Sequence, residues 1–435
     1  MSVSAVAFHR RQLAPAAEDS QARERWARRR IGLSWCLLLL NVLVFYPGTW
    51  NGLPLVVPIP TSLGKLITQG ALPLALLVTL TVNRRLLIRP NVFLCIASLL
   101  VVGALMAMAQ PEHFGTVYRT LRLAGFVGTL WLLTPWWGRR DLLLLRCHLG
   151  AIAIILGSVL LGVLAAPSTA LSQGRLSGTL WPLPPTDVAH FSAVMTGLVA
   201  VLWFCGKMRG RVALPIALVA TAILLLTHTR TALVGMLAGI LVAGLSLVLA
   251  KARVRKLFVA GGVLVLVGLI AFSSAVTHWL DRGEGTQQLS SLTGRTSVWS
   301  AVVTDPRDKF EVIFGFGLSN KSFNGLPIDS NWLAAYLDLG LFGVCVCAAI
   351  LLFLLVSAYF QPRGAERALA LFLITYCLLS SFTETGLSDA SIYLLEVTLA
   401  ASMLVPSLAD RHGLIPDPAA DEAMPVLLGP QRRRA

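Results

Sequence analysis

Ten basic residues stand where long apolar runs give way to polar ones, apart from the tight Lys and Arg clusters of the other turns: Arg119, Arg122, Arg175, Arg230, Arg282, Arg295, Arg307, Lys65, Lys309 and Lys321. A guanidinium keeps its charge and presents a planar fork of donors matched to phosphate oxygens, so several that converge can grip a diphosphate. Arg119 and Arg122 are three apart and share a helix face. Arg230 is lodged in Thr227-His-Thr-Arg-Thr231 between two apolar stretches, where a cation is costly unless it snorkels or meets an anion. For any single one of these arginines, snorkelling to lipid headgroups or pairing with a carboxylate is the commoner explanation.

The carboxylates that could complement them are few. Asp329, followed by Ser330, ends the longest polar stretch, and Asp338 lies about two turns further on, at a depth where a carboxylate faces the bundle or a cavity; it reads as a structural partner for an arginine. Asp187 immediately precedes an apolar run, where a helix-cap role is the commoner explanation, and its closeness to Arg175 leaves a pairing role open. Glu384 and Asp389 read as solvated, while Glu396 is deeper and has no assigned role. His190, His228 and His278 match no metal-ligand spacing and read as hydrogen-bonded interface histidines, so no metal and no cofactor is expected. Trp299, four after Arg295, reads as the anchor of an interfacial helix.

The elements that must hold these residues are membrane helices. Of 435 residues 56% are hydrophobic and 13% charged, and the mean hydropathy is +0.75, against roughly 25% charged in a soluble domain. Apolar runs near 31–47, 64–82, 91–109, 121–136, 146–165, 188–205, 212–227, 232–250, 257–277, 331–358, 366–382 and 390–406 approach the roughly 20 residues that cross a hydrocarbon core. The fold class expected is therefore an all-α polytopic membrane protein with about twelve spans. The first run follows the basic stretch Arg23–Arg30 and reads as an uncleaved signal anchor.

Counted from a cytoplasmic N-terminus, the clusters Arg84/Arg85/Arg89, Arg139/Arg140/Arg146, Lys207/Arg209/Arg211, Lys251/Arg253/Arg255/Lys256, Arg363/Arg367 and Arg432/Arg433/Arg434 all fall inside, as the positive-inside rule requires. This accounts for the net charge of +15 without nucleic acid. It yields a basic N-terminal tail (1–30), a helix bundle (31–410) with extracytoplasmic loops at 166–187 and 278–330, and a cytoplasmic tail (411–435), the extreme ends being Ala-, Pro- and charge-rich and read as irregular. All seven cysteines lie in or beside apolar runs, which argues against disulfides.

Four stretches, in order, carry a resemblance: Gly174-Arg-Leu-Ser-Gly-Thr-Leu with Pro185-Thr-Asp-Val-Ala-His-Phe; Leu226-Thr-His-Thr-Arg-Thr-Ala-Leu; Gly294-Arg-Thr-Ser-Val-Trp-Ser-Ala with Gly315-Phe-Gly; and Asp329-Ser-Asn-Trp-Leu with Leu339-Gly-Leu-Phe-Gly. Together they resemble the O-antigen ligase and O-antigen polymerase superfamily. The resemblance implies an all-helical bacterial inner-membrane glycosyltransferase that takes a glycan from an undecaprenyl pyrophosphate carrier at the outer leaflet and passes it to an acceptor glycan or lipid-linked glycan, without a metal. On this reading Arg175, Arg230 and Arg295, with Arg119 and Arg122, hold the pyrophosphate, and Asp329 serves the acceptor hydroxyl. Asp187, Ser330, Asp338 and Trp299 support them. Two positions depart from the pattern: Asp329-Ser330 stands where ligase-type members have His-Asn, which favours a polymerase over a ligase, and Pro185-Thr186 replaces a Pro-Asn pair. A secondary transporter and a non-catalytic envelope scaffold remain as readings of other classes. The first predicts similar halves and broken helices with charge near the midplane.

Overall fold

The computed structural model describes residues 3–43, 45, 55–108, 114–139, 141–171, 174–248, 252, 254–257, 260, 295–319 and 321–406. They form an α-helical bundle: α1 (Val3–Val42), α2 (Thr61–Val82), α3 (Val92–Ala107), α4 (Phe114–Leu133), α5 (Leu143–Ala165), a short α6 (Pro167–Ala170), α7 (Pro185–Phe204), α8 (Gly210–Leu226), α9 (Arg230–Val248), α10 (Arg295–Thr304), α11 (Lys309–Phe314), α12 (Asn331–Phe360), α13 (Ala365–Ser380) and α14 (Ile392–Leu404). Helices occupy eleven of the twelve apolar runs; the run at 257–277, apart from positions 257 and 260, lies outside the described residues. Among the described residues five helices, α2, α5, α7, α9 and α12, are long and apolar enough to cross a membrane. The exterior agrees with a lipid solvent, since Leu164, Ile154 and Leu218 are 80%, 74% and 69% exposed, more apolar surface than a water-soluble monomer presents in this way.

The segment read as an irregular tail is continuous with α1, which is helical from Val3. Its Ala, Arg, Glu and Gln residues are good helix formers, and that propensity outweighs the polar composition that suggested disorder.

The helix ends segregate. At one end Arg139 meets Glu24 at 2.9 Å and Arg28 meets Asp141 at 3.1 Å, Asn83 donates to the Leu132 carbonyl, and the Gly138 amide donates to Ser402 O at 3.0 Å. At the other, the C-terminal turns of α1, α5, α8 and α13 gather with the N-terminal turns of α2, α4, α9, α12 and α14. Here Asn41 donates to Thr68 O and accepts from Arg122, and Asn331 donates its amide to Ser381 O.

Small residues let the helices close up in the interior. Phe372 of α13 sits against Gly197 of α7 and Gly239 of α9, where any Cβ would collide with its ring, the small-residue packing that brings membrane helices together.

Two breaks shape the loop end. Within α12, Gly340 (φ 64°, ψ −160°) interrupts the helix. The carbonyls of Leu337 and Asp338 are taken by amides of the preceding loop, Phe316 N at 3.0 Å and Gly317 N at 2.8 Å. Backbone passes directly over backbone here: a Cβ on Gly340 would overlap Ile313 and one on Gly315 would overlap Asp338. Irregular backbone at this depth is tolerated because protein satisfies it. The second break is the non-helical stretch 381–391 between α13 and α14, whose Gly386 and Leu387 amides donate to Asn331 Oδ1 at 3.2 and 2.8 Å.

Candidate functional site

The first predicted loop folds back into the bundle. From Leu176 to Thr179 and from Pro182 to Pro185 it is buried, with a bridge between Gly178 and Leu183. Leu176 N donates to Leu226 O at 2.9 Å and Ser177 N to Ala170 O at 2.9 Å. These bonds seat the loop on the corner between α8 and α9, so that Arg175 Nε donates to Thr227 O at 3.0 Å and its NH2 to Thr229 Oγ1 at 3.3 Å. The corner turns through His228 at φ 52°, and α9 then starts at Arg230. The structure thus places Arg175 and the Arg230 corner together, although 55 positions separate the two in sequence (230 − 175).

Arg119 and Arg122 lie on α4, in a second group. Arg122 is held by α1: its Nε donates to Asn41 Oδ1 at 3.1 Å and its NH2 to Asn41 O at 3.0 Å. Both arginines act electrostatically on Lys321, as does Asp389. Burial pushes the Lys321 ammonium below its ordinary pKa, Asp389 opposes the shift and Arg119 adds to it. Lys321 is ion-paired to Asp338, whose other oxygen accepts from Ser319 N at 3.1 Å. The partner expected for Asp338 was an arginine; it is Lys321, because the loop pinned by Gly315 and Gly317 brings position 321 over α12. A two-residue Asn324-Gly325 turn, with φ of 49° and 79°, joins the strands β1 (Ser322–Phe323) and β2 (Leu326–Pro327) beside it, the conformation favoured for tight hairpins.

Asp329 is half-buried and Ser330 buried just before α12. Ser330 occupies the N-cap position without a side-chain cap bond. Asp187 is not the cap of α7: Pro184 takes that position, leaving Asp187 in the first turn, where a carboxylate complements the positive helix end. Arg295 starts α10, and its side chain lies outside what the structure describes. Along α10, Val298 and Val302 pack on Ile328, Ala334 and Leu337, and the Trp299 indole N–H is buried without a hydrogen bond among the described residues. The helix therefore rests on α12, with Trp299 half-buried. Arg307, counted among the outward cations, is a clamp. It donates to Val302 O and Tyr336 O and stacks its guanidinium 5.0 Å from Phe316 and 4.6 Å from Tyr336.

Sequence reasoning left Lys321 out of the site and passed over His148, Tyr376 and Tyr393. His190 and Glu396, expected at an interface and without a role, meet inside the bundle at 2.7 Å. The signal available was the depth of Glu396 within an apolar run, which by itself calls for a partner. Among the described residues no group of three His, Cys, Asp or Glu is placed to hold a metal ion. No family model and no curated protein matches this chain.

Proposed function

We propose that this chain is a glycosyltransferase of the bacterial cytoplasmic membrane, with about twelve spans, both termini in the cytoplasm and the 166–187 and 278–330 loops outside. It takes a glycan from undecaprenyl pyrophosphate and polymerises it or passes it to another acceptor glycan, without a metal. The observation that carries this reading is the seating of Arg175 on the Thr227–Arg230 corner. Two arginine-bearing segments meet at the N-terminal end of α9, an arrangement suited to stabilising a departing diphosphate. Arg119 and Arg122 add positive charge at the same end of the bundle, and Arg295 is the third pyrophosphate-binding arginine of the proposal. Asp329, at the threshold of α12, would accept the acceptor hydroxyl's proton or orient that hydroxyl. The resemblance of the four stretches supplies the substrate class, and the Asp at 329 favours polymerisation over ligation.

The test is an Arg175→Lys, Arg230→Lys and Arg295→Lys series, in which the charge stays and the fork is lost. Polymer yield should fall about tenfold or more in each variant, the value of one charge-assisted hydrogen bond of ~1.5–3 kcal/mol. Unchanged yield and chain length in all three, at normal protein levels, would sink the proposal. Asp329→Asn should abolish transfer and Asp329→His retain part of it.

One observation favours a secondary transporter instead: the break at Gly340 makes α12 a discontinuous helix, as found in such proteins. Uptake of labelled oligosaccharide into vesicles, with no new glycosidic bond, would establish that alternative.

A further inference from the structure

Below the arginine corner the bundle encloses a polar cluster that the proposed chemistry does not use. Glu396 of α14 is fully buried. Its Oε1 lies 2.7 Å from His190 Nε2 on α7 and 3.9 Å from His148 Nε2 on α5, and its Oε2 accepts from Cys377 Sγ at 3.5 Å. The opposite nitrogen of His190 meets the Tyr376 hydroxyl at 3.2 Å. The opposite nitrogen of His148 accepts from the Trp35 indole N–H at 3.4 Å.

The Trp35 contact decides a tautomer. Because Nδ1 of His148 accepts, the ring proton sits on Nε2, aimed at Glu396 and lacking a hydrogen-bond partner. One carboxylate thus faces two imidazoles, where a static pair needs only one. An isolated charge in hydrocarbon is avoided, and ionisable groups at such depth mark proton and ion pathways.

The cluster lies inside the bundle. His190 is ~8 Å of helix below the start of α7, and Glu396 is ~9 Å above Ser402, which touches the opposite end. Towards the loop end, Asp187 and Glu384, both half-buried, act electrostatically on His190. The Tyr393 ring stacks edge-on at 4.7 Å from the imidazole.

We infer that Glu396 is a proton-binding site, loaded from the loop end through Asp187 and His190, with His148 as a second station. The Tyr376 hydroxyl passes its proton to His190 Nδ1 and is reprotonated from the loop end, while the Nε2 proton passes to Glu396 Oε1. The imidazole ends neutral in its other tautomer, the carboxylate becomes a carboxylic acid, and the Tyr376 hydroxyl turns from donor to acceptor. Every charged or titratable group facing the site takes part in setting its occupancy: Asp187, Glu384, His148, His190, Tyr376, Cys377 and Tyr393.

Infrared difference spectroscopy on the full chain in phosphatidylglycerol vesicles, between acid and neutral pH and without any glycan, tests this independently of the transfer reaction. A protonated-carboxyl band is expected in the wild type and absent in Glu396→Gln. Its midpoint should move upward in His190→Leu, which removes the imidazole donor facing the carboxylate. Should Glu396→Gln fail to assemble, Glu396→Asp and Tyr376→Phe carry the same test, each expected to displace the midpoint. Proton uptake after a pH jump should slow in Asp187→Asn. A band that persists in Glu396→Gln, a midpoint indifferent to these substitutions, or uptake unchanged in Asp187→Asn overturns the inference.

Discussion

At the Arg139 end of the bundle, charge is handled between exposed side chains: Glu24 is 52% exposed and accepts from Arg28 and Arg139 at 3.0 and 2.9 Å. At the loop end the cations are handled by the fold. Arg175 is bonded to a corner carbonyl, Arg122 to both oxygens of Asn41, and Lys321 to the buried Asp338. The first kind of pairing is solvated and weak. The second removes charge from water, where losing a partner is costly. The basic residues at the two places thus do different work.

The largest effect should come from the backbone crossing that builds the loop end. Gly340→Ala forces a side chain into a positive-φ position against Ile313, combining backbone strain with overpacking at roughly 3–5 kcal/mol. Thermal unfolding in detergent should show little or no folded protein, whereas a native-like melting temperature would mean that the crossing is not needed.

Next comes the ion pair it positions. Asp338→Asn leaves Lys321 buried beside a neutral amide and should destabilise by about 3–5 kcal/mol. Lys321→Met in the same chain should restore most of that loss. A double variant no better than the single would show that the two charges are not coupled.

A smaller loss, about 1–2 kcal/mol, is expected for Arg122→Lys, because Lys cannot bond both Asn41 oxygens with the fork geometry. A melting temperature equal to wild type would place Arg122 with the solvated cations of the other end.

The smallest effect belongs to Glu24→Gln. Arg139 and Arg28 hold the Glu24 carboxyl below its ordinary pKa, so any stability it adds is present at neutral pH and disappears as pH falls through the depressed value. Exposure should keep it under ~0.5 kcal/mol. A larger change on acid titration, absent in the variant, would erase the contrast between the two ends.

Much of the scaffold was legible because hydropathy is a local property. Eleven apolar runs read from composition coincide with helices. The site was legible only in fragments. The motif around Gly174–Gly178 and the Thr227–Arg230 corner marked segments that do meet. Arg307, picked by the same charge count, proved to be a clamp of the loop on α12.

The residues by themselves determined that the chain is a bundle of membrane helices, since lipid leaves a long apolar run no other way to satisfy its backbone. They also marked which polar stretches stand between those helices. The tertiary structure alone decided that Asp338 answers to Lys321, that Arg175 is held at the α8–α9 corner, and that Glu396 meets His190 across 206 positions of chain. Burial tells a charge that it must be compensated, but the partner is chosen by how helices pack, and packing carries no periodicity that a one-dimensional pattern can display.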